Sequence, residues 1–244
     1  MPKVSAKNGI ILVGGVNVST LAMQYQAEIN NGMIDVTGFT EAGQNFIPGL
    51  PTGKMTVDFF WDSTATVGAN ALFQPMGQGI VTLLPEGWLL GNPTISMPFT
   101  QGNYTPQGAP AEAIKLGSLA FEGYGSSFVG IENGYALQHG TTTATLTGTG
   151  FDDPLGAAVT KACGASLHIW SKTTTDTYVI KVQHSTALGS GYADLITFSA
   201  NGTALTAERQ VVASGTINRY RRILATRTGA AGDTLGFTVA FYHL

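Results

Sequence analysis

Residues 21–36 read LAMQYQAEINNGMIDV, and this stretch decides the fold class. Leu21, Met23, Tyr25, Ala27 and Ile29 alternate with Ala22, Gln24, Gln26, Glu28 and Asn30. A period of two belongs to a strand with one apolar and one polar face. Asn30-Asn31-Gly32 is turn chemistry, because Asn and Gly tolerate positive φ. Met33, Ile34 and Val36 then open a return strand. Further on, Met55, Val57, Phe59 and Trp61 alternate with Lys54, Thr56, Asp58 and Asp62, so a second polar face carries two carboxylates.

Between these strands lies GFTEAGQNFIPGLPTG, Gly38–Gly53, with four Gly, two Pro and no clear period. It reads as a long loop, and loops beyond about 12–15 residues are usually functional. Phe39, Phe46, Ile47 and Leu50 make it too apolar for a free tip. It either folds over its own sheet or docks on a neighbouring subunit. Asn70–Gln74 reads as one short helix, starting there or nearer Thr64, which Pro75 stops.

The remainder repeats the β style. Ile80–Leu84, Thr94–Phe99 and Ile114–Phe121 read as strands. So do Thr141–Gly148, Ala165–Trp170, Thr177–His184, Ala193–Phe198, Glu208–Val212, Ile217–Ala225 and Leu235–Tyr242. Many short strands at this spacing predict a sandwich or barrel. The expected fold is all-β with at most one short helix. The Gly/Ser-rich stretch Gly123–Gly134 is the expected boundary between a first domain, 1–134, and a second, 135–244.

Charge supports that division. Residues 1–134 hold 4 Lys/Arg and 9 Asp/Glu, and residues 135–244 hold 8 and 6, adding to the net −3. Only 11% of the chain is charged, against about a quarter in ordinary soluble domains. A folded chain so sparing of charge usually hides surface in an assembly. The neutral-to-acidic first half argues against gripping a phosphate backbone. Arg219, Arg221, Arg222 and Arg227 form a short basic group, read as a solvated or interface face of a strand. Ile10–Val13 is too short for a signal core or a membrane span.

The search for chemistry is mostly negative. His139, His168, His184 and His243 are scattered, and Cys163 is single. Zinc sites need such residues clustered, so no metal is expected. His168 and His184 fall on adjacent expected strands, where hydrogen-bonded histidines are the plain reading. Cys163, beside Ala162, Gly164 and Ala165, reads as a buried, inert thiol. Asp58 and Asp62 stand too far apart along one strand to be immediate neighbours. Asp152-Asp153 reads as turn chemistry without calcium-loop spacing. No nucleophile elbow, phosphate loop or dinucleotide fingerprint occurs, so no catalytic residue and no cofactor is expected.

Taken together, QAEINNGMIDVTGFTEAGQNFIPGLPTGKMTVDFFWD (Gln26–Asp62), the helix near Ala71 and IKLGSLAFEGYG (Ile114–Gly125) resemble the major tail (tail tube) proteins of long-tailed bacteriophages. Their order is similar to that of the family: long hairpin, extended loop, strand ending near Asp, helix, closing strands. The helix here is weaker than in the family. LHIWSKTTTDTYVIKVQHS (Leu167–Ser185), YADLITF (Tyr192–Phe198) and INRYRRILA (Ile217–Ala225) look like segments of phage virion proteins. They imply a second, β-sandwich-like domain.

The resemblance implies a structural, non-enzymatic virion protein, made in the host cytoplasm and built into the phage tail. Three or six copies would form a ring, and rings would stack into a tube. Other tail proteins would meet the tube ends, and viral DNA would pass through without a membrane contact. Gln24, Gln26, Glu28, Asp35, Asp58 and Asp62 are then the candidate lumen face. Phe39, Phe46, Ile47 and Leu50 are the candidate assembly loop. Two other readings compete. One is a capsid decoration or fibre module, in which Trp61, Trp88 or Trp170 would stack on glycans. The other is a glycoside hydrolase, which needs two close carboxylates.

Overall fold

The computed structural model describes residues 8–36, 44–62, 69–74, 77–108, 113–123, 131–156, 158–173, 176–199, 205–229 and 233–244. In chain order the elements are β1 (Ile10–Val13), β2 (Val16–Asn17), β3 (Ala22–Asp35), β4 (Phe46–Phe60), α1 (Ala69–Phe73), β5 (Gln78–Leu84), β6 (Pro93–Gln101) and β7 (Pro106–Gln107). Next come β8 (Lys115–Gly123), β9 (Glu132–Thr142), β10 (Leu146–Thr147), β11 (Phe151–Asp152), β12 (Val159–Thr160) and β13 (Cys163–Lys172). The last are β14 (Thr177–Ser185), β15 (Ala193–Thr197), β16 (Thr206–Val212), β17 (Thr216–Ile217), β18 (Tyr220–Thr228) and β19 (Leu235–His243). Among the described residues the protein is all-β apart from the five residues of α1.

The chain forms two compact units. One holds residues 1–20, 79–96 and 132–244, and the other residues 21–78 and 97–131. This differs from the expected division into 1–134 and 135–244. Composition shifts near residue 134, but β1, β2, β5 and the start of β6 hydrogen-bond into the sheet that β9, β13 and β19 build. Pairing partners, not sequence neighbours, define the units.

The larger unit is a β-sandwich. Its first sheet runs β16-β13-β19-β9-β6-β5-β1-β2, with Pro93–Ser96 as the β6 contribution. Its second has β18 and β14 at the centre, flanked by β10, β11 and β15. Leu235, Phe237, Val239 and Phe241 of β19 alternate inward with Leu167 and Ile169 of β13. They meet Tyr178, Ile180, Val182 and Ile223 of the second sheet. Thr238, Ala240 and Tyr242 on the other face of β19 are also buried. There Leu12, Leu84 and Ala136 form a second apolar cluster. The first sheet curls within this unit: Gly15, at φ +88°, brings the β1–β2 turn against the Thr206 backbone of β16, where a Cβ would stand 2.4 Å from its nitrogen. Only glycine fits that conformation and that approach.

The curled face buries polar groups, and one set of them is hydrogen-bonded in a chain. Ring nitrogen Nδ1 of His168 accepts the Gly15 N–H at 3.3 Å, and Nε2 lies 2.9 Å from Thr82 Oγ1. Thr82 in turn bonds Ser96 Oγ at 2.9 Å. With Nδ1 accepting, Nε2 carries the proton and Thr82 accepts it. Burial pushes the His168 pKa down to about 3, so the ring is neutral. An unfolded histidine titrates near 6.5. Between about pH 6.5 and 3 the unfolded chain therefore binds the extra proton, and stability falls as pH is lowered through that window. Urea unfolding at pH 4.5 is expected to show about 2–3 kcal/mol less stability from this group than at pH 7. His168→Asn should flatten that part of the slope; an equally steep slope in the variant would contradict the assignment.

The smaller unit is built on the long β3–β4 hairpin, which β8 extends, with β6 (Met97–Gln101) and β7 pairing on β8. Met55, Val57 and Phe59 of β4 are buried with Leu116, Leu119 and Phe121 of β8. Phe73 of α1 closes over them. Its ring centroid lies 4.8 Å from that of Phe59 and 6.0 Å from that of Phe121, and Phe99 lies 4.4 Å from Phe121. Such tilted aromatic contacts add to what burial alone supplies.

Three sequence expectations are corrected here. No turn interrupts Asn30–Gly32: β3 runs through to Asp35, and the pairing with β4 only shifts register between Asn31 and Met33. Gly32 is absorbed as a bulge-type irregularity, the other common use of a strand glycine. The expected loop Gly38–Gly53 is likewise shorter, because β4 already starts at Phe46, with Ile34↔Ile47, Met33↔Pro48 and Asn31↔Pro51 as register partners. A third correction concerns Gly123–Gly134, whose last residues belong to β9. Gly134 there has a packing reason: a Cβ would stand 2.0 Å from the Phe241 carbonyl oxygen of β19.

Candidate assembly surface

Register places the polar residues of the hairpin in rows. Gln24 stands opposite Asp58, Gln26 opposite Thr56, and Glu28 opposite Lys54. β8 continues two of these rows, with Ala120 beside Thr56 and Glu122 beside Lys54. Gln24 Nε2 donates to Asp58 Oδ2 at 2.5 Å. Gln24, Gln26, Glu28, Lys54 and Glu122 are exposed, and Thr56 and Asp58 are half-buried. Gln26, Glu28, Lys54 and Thr56 line one shallow groove, and Gln24, Tyr25, Gln26, Thr56 and Asp58 a second. The opposite side of the same strands is the Met55, Val57 and Phe59 core. The face thus combines amides and hydroxyls with three carboxylates, Glu28, Asp58 and Glu122, against the single ammonium of Lys54.

Four of the six candidate lumen residues, Gln24, Gln26, Glu28 and Asp58, therefore share one surface. Asp35 does not join them. It lies seven residues beyond Glu28, opposite Phe46 at the far end of the hairpin. Asp62 lies past the end of β4, where its carbonyl accepts the Asn70 N–H of α1 at 3.0 Å. Glu122 belongs to the face but was not expected from the sequence; pairing of β8 beside β4 is a non-local fact that alternation does not reveal. Of the candidate assembly loop, Phe39 lies outside the described residues, and Phe46, Ile47 and Leu50 fall on β4.

Among the described residues, β8 pairs with β4 from Lys54 to Phe60. Among the described residues, Phe46–Gly53 has β3 as its sole strand partner. Pro48 and Pro51 fit this arrangement, since proline lacks the N–H that a central strand needs. Among the described residues, seven of β3 and eight of β4 thus form a two-stranded ribbon, extending by about 23 Å at ~3.3 Å per residue. Such ribbons are marginal alone in water. β3 is also an edge: among the described residues its one strand neighbour is β4. No protein-family model matches the chain, and no curated protein matches it. Among solved structures it is similar to the phage SPP1 Dit (gp 19.1) protein, described as a paradigm of the hub adsorption apparatus in phages infecting Gram-positive bacteria. The identity is 13% and the TM-score 0.36, over 97% of this chain and 100% of that one. A likeness of that degree carries no argument.

The other candidate groups have structural partners. The basic group on and beside β18 is consumed by ion pairs and hydrogen bonds. Arg219 pairs with Asp152 at the surface, at 2.6 and 2.7 Å. Arg222 donates to Gln183 Oε1 at 2.9 Å and stacks over Tyr192. Arg227 pairs with Asp176. Arg221 departs from the expected solvated face, since it is 1% exposed. It pairs with Asp153, which also accepts Tyr135 Oη at 2.5 Å, His243 Nε2 at 2.8 Å and the Leu155 N–H at 2.7 Å. Its guanidinium lies 4.6 Å from the Phe241 ring centroid. Asp152-Asp153 is therefore an anchor for two arginines as well as a turn. Cys163 is buried, and burial pushes its thiol up to about 11, which removes the thiolate a reactive cysteine needs. His168 and His184 stand in different sheets; His184 Nδ1 accepts the Asn218 N–H at 3.2 Å. Among the described residues no group of three or more His, Cys, Asp or Glu is placed to hold a metal.

Proposed function

We propose that this chain is a structural virion protein, the tail tube subunit of a long-tailed bacteriophage. Copies join into rings of three or six, and rings stack around a channel for DNA. The observation that carries this reading is the fourteen-residue edge strand β3, which bears a polar, net acidic face and runs on into a two-stranded ribbon. A long open edge is an aggregation hazard unless another strand covers it. Closing a sheet around an axis with copies of the same chain removes the edge, and head-to-tail repetition closes the ring. The amide, hydroxyl and carboxylate face then turns inward, where it repels phosphate and lets DNA slide. The role is mechanical, with other tail proteins at the tube ends, and the chain resides in the virion.

The experiment is to separate heads from tails in disrupted particles and probe each fraction with an antibody to the chain. The protein is expected in the tail fraction, as the most abundant band. Recovery on heads alone would replace this reading with capsid decoration.

A further inference from the structure

Lys54 is the single base between Lys7 and Lys115 in the chain. Register sets Glu28 beside it on β3 and Glu122 beside it on β8, with Thr100 of β6 beyond Glu122. The row across these strands reads acid, base, acid, hydroxyl. All three charged residues are exposed, and Glu28 and Lys54 line the same shallow groove with Gln26 and Thr56. Glu122 leans to the far side, its Oε1 3.3 Å from where a Cβ on Gly102 would stand. Neighbouring strands lie about 4.8 Å apart, so Lys54 separates two acids whose backbones are roughly 10 Å from each other. The remaining acid of the face, Asp58, has Gln24 opposite it and accepts the amide N–H. Among the described residues of this face, no two carboxylates stand directly opposite each other.

Duplex DNA carries a condensed atmosphere of cations. Mg²⁺ is commonly held by one or two carboxylates together with phosphate oxygens. A wall of adjacent carboxylates facing passing phosphates would therefore gather divalent ions and tie the DNA to itself. We infer that Lys54 is the selectivity residue of this face: its ammonium, set between Glu28 and Glu122, denies divalent cations a shared carboxylate site, so the face repels phosphate without being bridged to it. This rests on the channel reading above and gives a role to the one base on that face. Among the described residues of the wild type, no three acids or imidazoles are placed to hold a metal. Lys54→Glu would set three carboxylates side by side on strands about 5 Å apart, within reach of one ion.

The test titrates Ca²⁺, the divalent cation least demanding in geometry, into the purified full chain by isothermal calorimetry. Lys54→Glu is expected to bind at least about tenfold tighter than the wild type, because the number of charged ligands sets the affinity of such sites over decades. Lys54→Gln, which only removes the ammonium, should show a smaller gain. Lys54→Arg keeps the charge and should bind as weakly as the wild type. Adding Glu28→Gln and Glu122→Gln to Lys54→Glu should abolish the gain. Lys161→Glu makes the same charge change at an exposed position of the larger unit and should gain nothing. The substituted positions are exposed, so the far-ultraviolet circular dichroism should match the wild type. No gain in Lys54→Glu or Lys54→Gln, or an equal gain in Lys161→Glu, overturns the inference and leaves the channel reading standing. A second arm follows DNA release from particles carrying Lys54→Glu, which should slow in Mg²⁺ and recover when a chelator is added. Normal release in Mg²⁺ from a variant whose purified chain has gained Ca²⁺ affinity overturns the channel reading, while the effect of Lys54 on cation binding stands.

Discussion

Asp153→Asn is expected to lower the unfolding free energy by about 3–5 kcal/mol, the usual cost of leaving one member of a buried ion pair without its counter-charge. Both side chains of the Asp153–Arg221 pair are 1% exposed. The substitution keeps the shape but removes the charge that Arg221 pairs with inside the sandwich, and it weakens the bonds from Tyr135 and His243. Burial and the nearby Arg221 and Lys161 charges hold the His243 pKa down at about 4, so that ring is neutral and cannot replace the missing charge. Arg221→Met alone should cost a similar amount. The double variant should cost clearly less than the sum, because replacing a whole buried pair by apolar groups is often nearly neutral. Urea unfolding of the four proteins measures this. An unchanged midpoint for Asp153→Asn, or strictly additive losses, would contradict the account of this cluster.

Glu28→Lys with Asp58→Lys is expected to leave the fold intact and to cut infectivity on the order of tenfold or more. Glu28 is exposed, and Asp58 is half-buried at the rim of the polar grooves. Neither contributes to the Phe59–Phe73–Phe121 core. With Lys54 already present, the double reversal turns a face of three acids and one base into one of three bases and one acid. In a tube the change repeats with every copy. A phosphate backbone held at many such points is retained by counterion release, with steep dependence on salt. DNA release from particles triggered in vitro should slow and recover at high salt. Wild-type infectivity, with normal release kinetics, would remove these residues from the channel.

The sequence made the β class plain because alternation is local. Leu21–Ile29 and Lys54–Asp62 each declare their two faces through side chains two residues apart. The lumen candidates Gln24, Gln26, Glu28 and Asp58 came from that signal, and the register of β3 on β4 brings them together. Asn30-Asn31-Gly32 misled because the same residues serve a tight turn and a strand bulge. Which one forms depends on whether a partner strand continues opposite, and that partner begins at Phe46, within a stretch whose glycines and prolines read as loop. Pro48 and Pro51 look like loop residues and instead lie on a stretch of β4 whose strand partner among the described residues is β3. The two-unit division was hidden for a related reason. β1, β5 and β6 read as members of the first half, and their hydrogen bonds go to β9 and its neighbours. Arg221 was legible only as one of several basic residues near β18; its alternation with the outward Tyr220 and Arg222 is the signal that one face of this strand turns inward.

The most direct measurement is negative-stain electron microscopy of the purified full-length chain over a concentration series. Copies that cover the β3 edge and turn the Gln24–Asp58 face inward should give rings of uniform diameter with a stain-filled centre, stacking into tubes as concentration rises. Particles that stay single at all concentrations, or that associate without a central hole, would contradict the proposal that this face lines a channel.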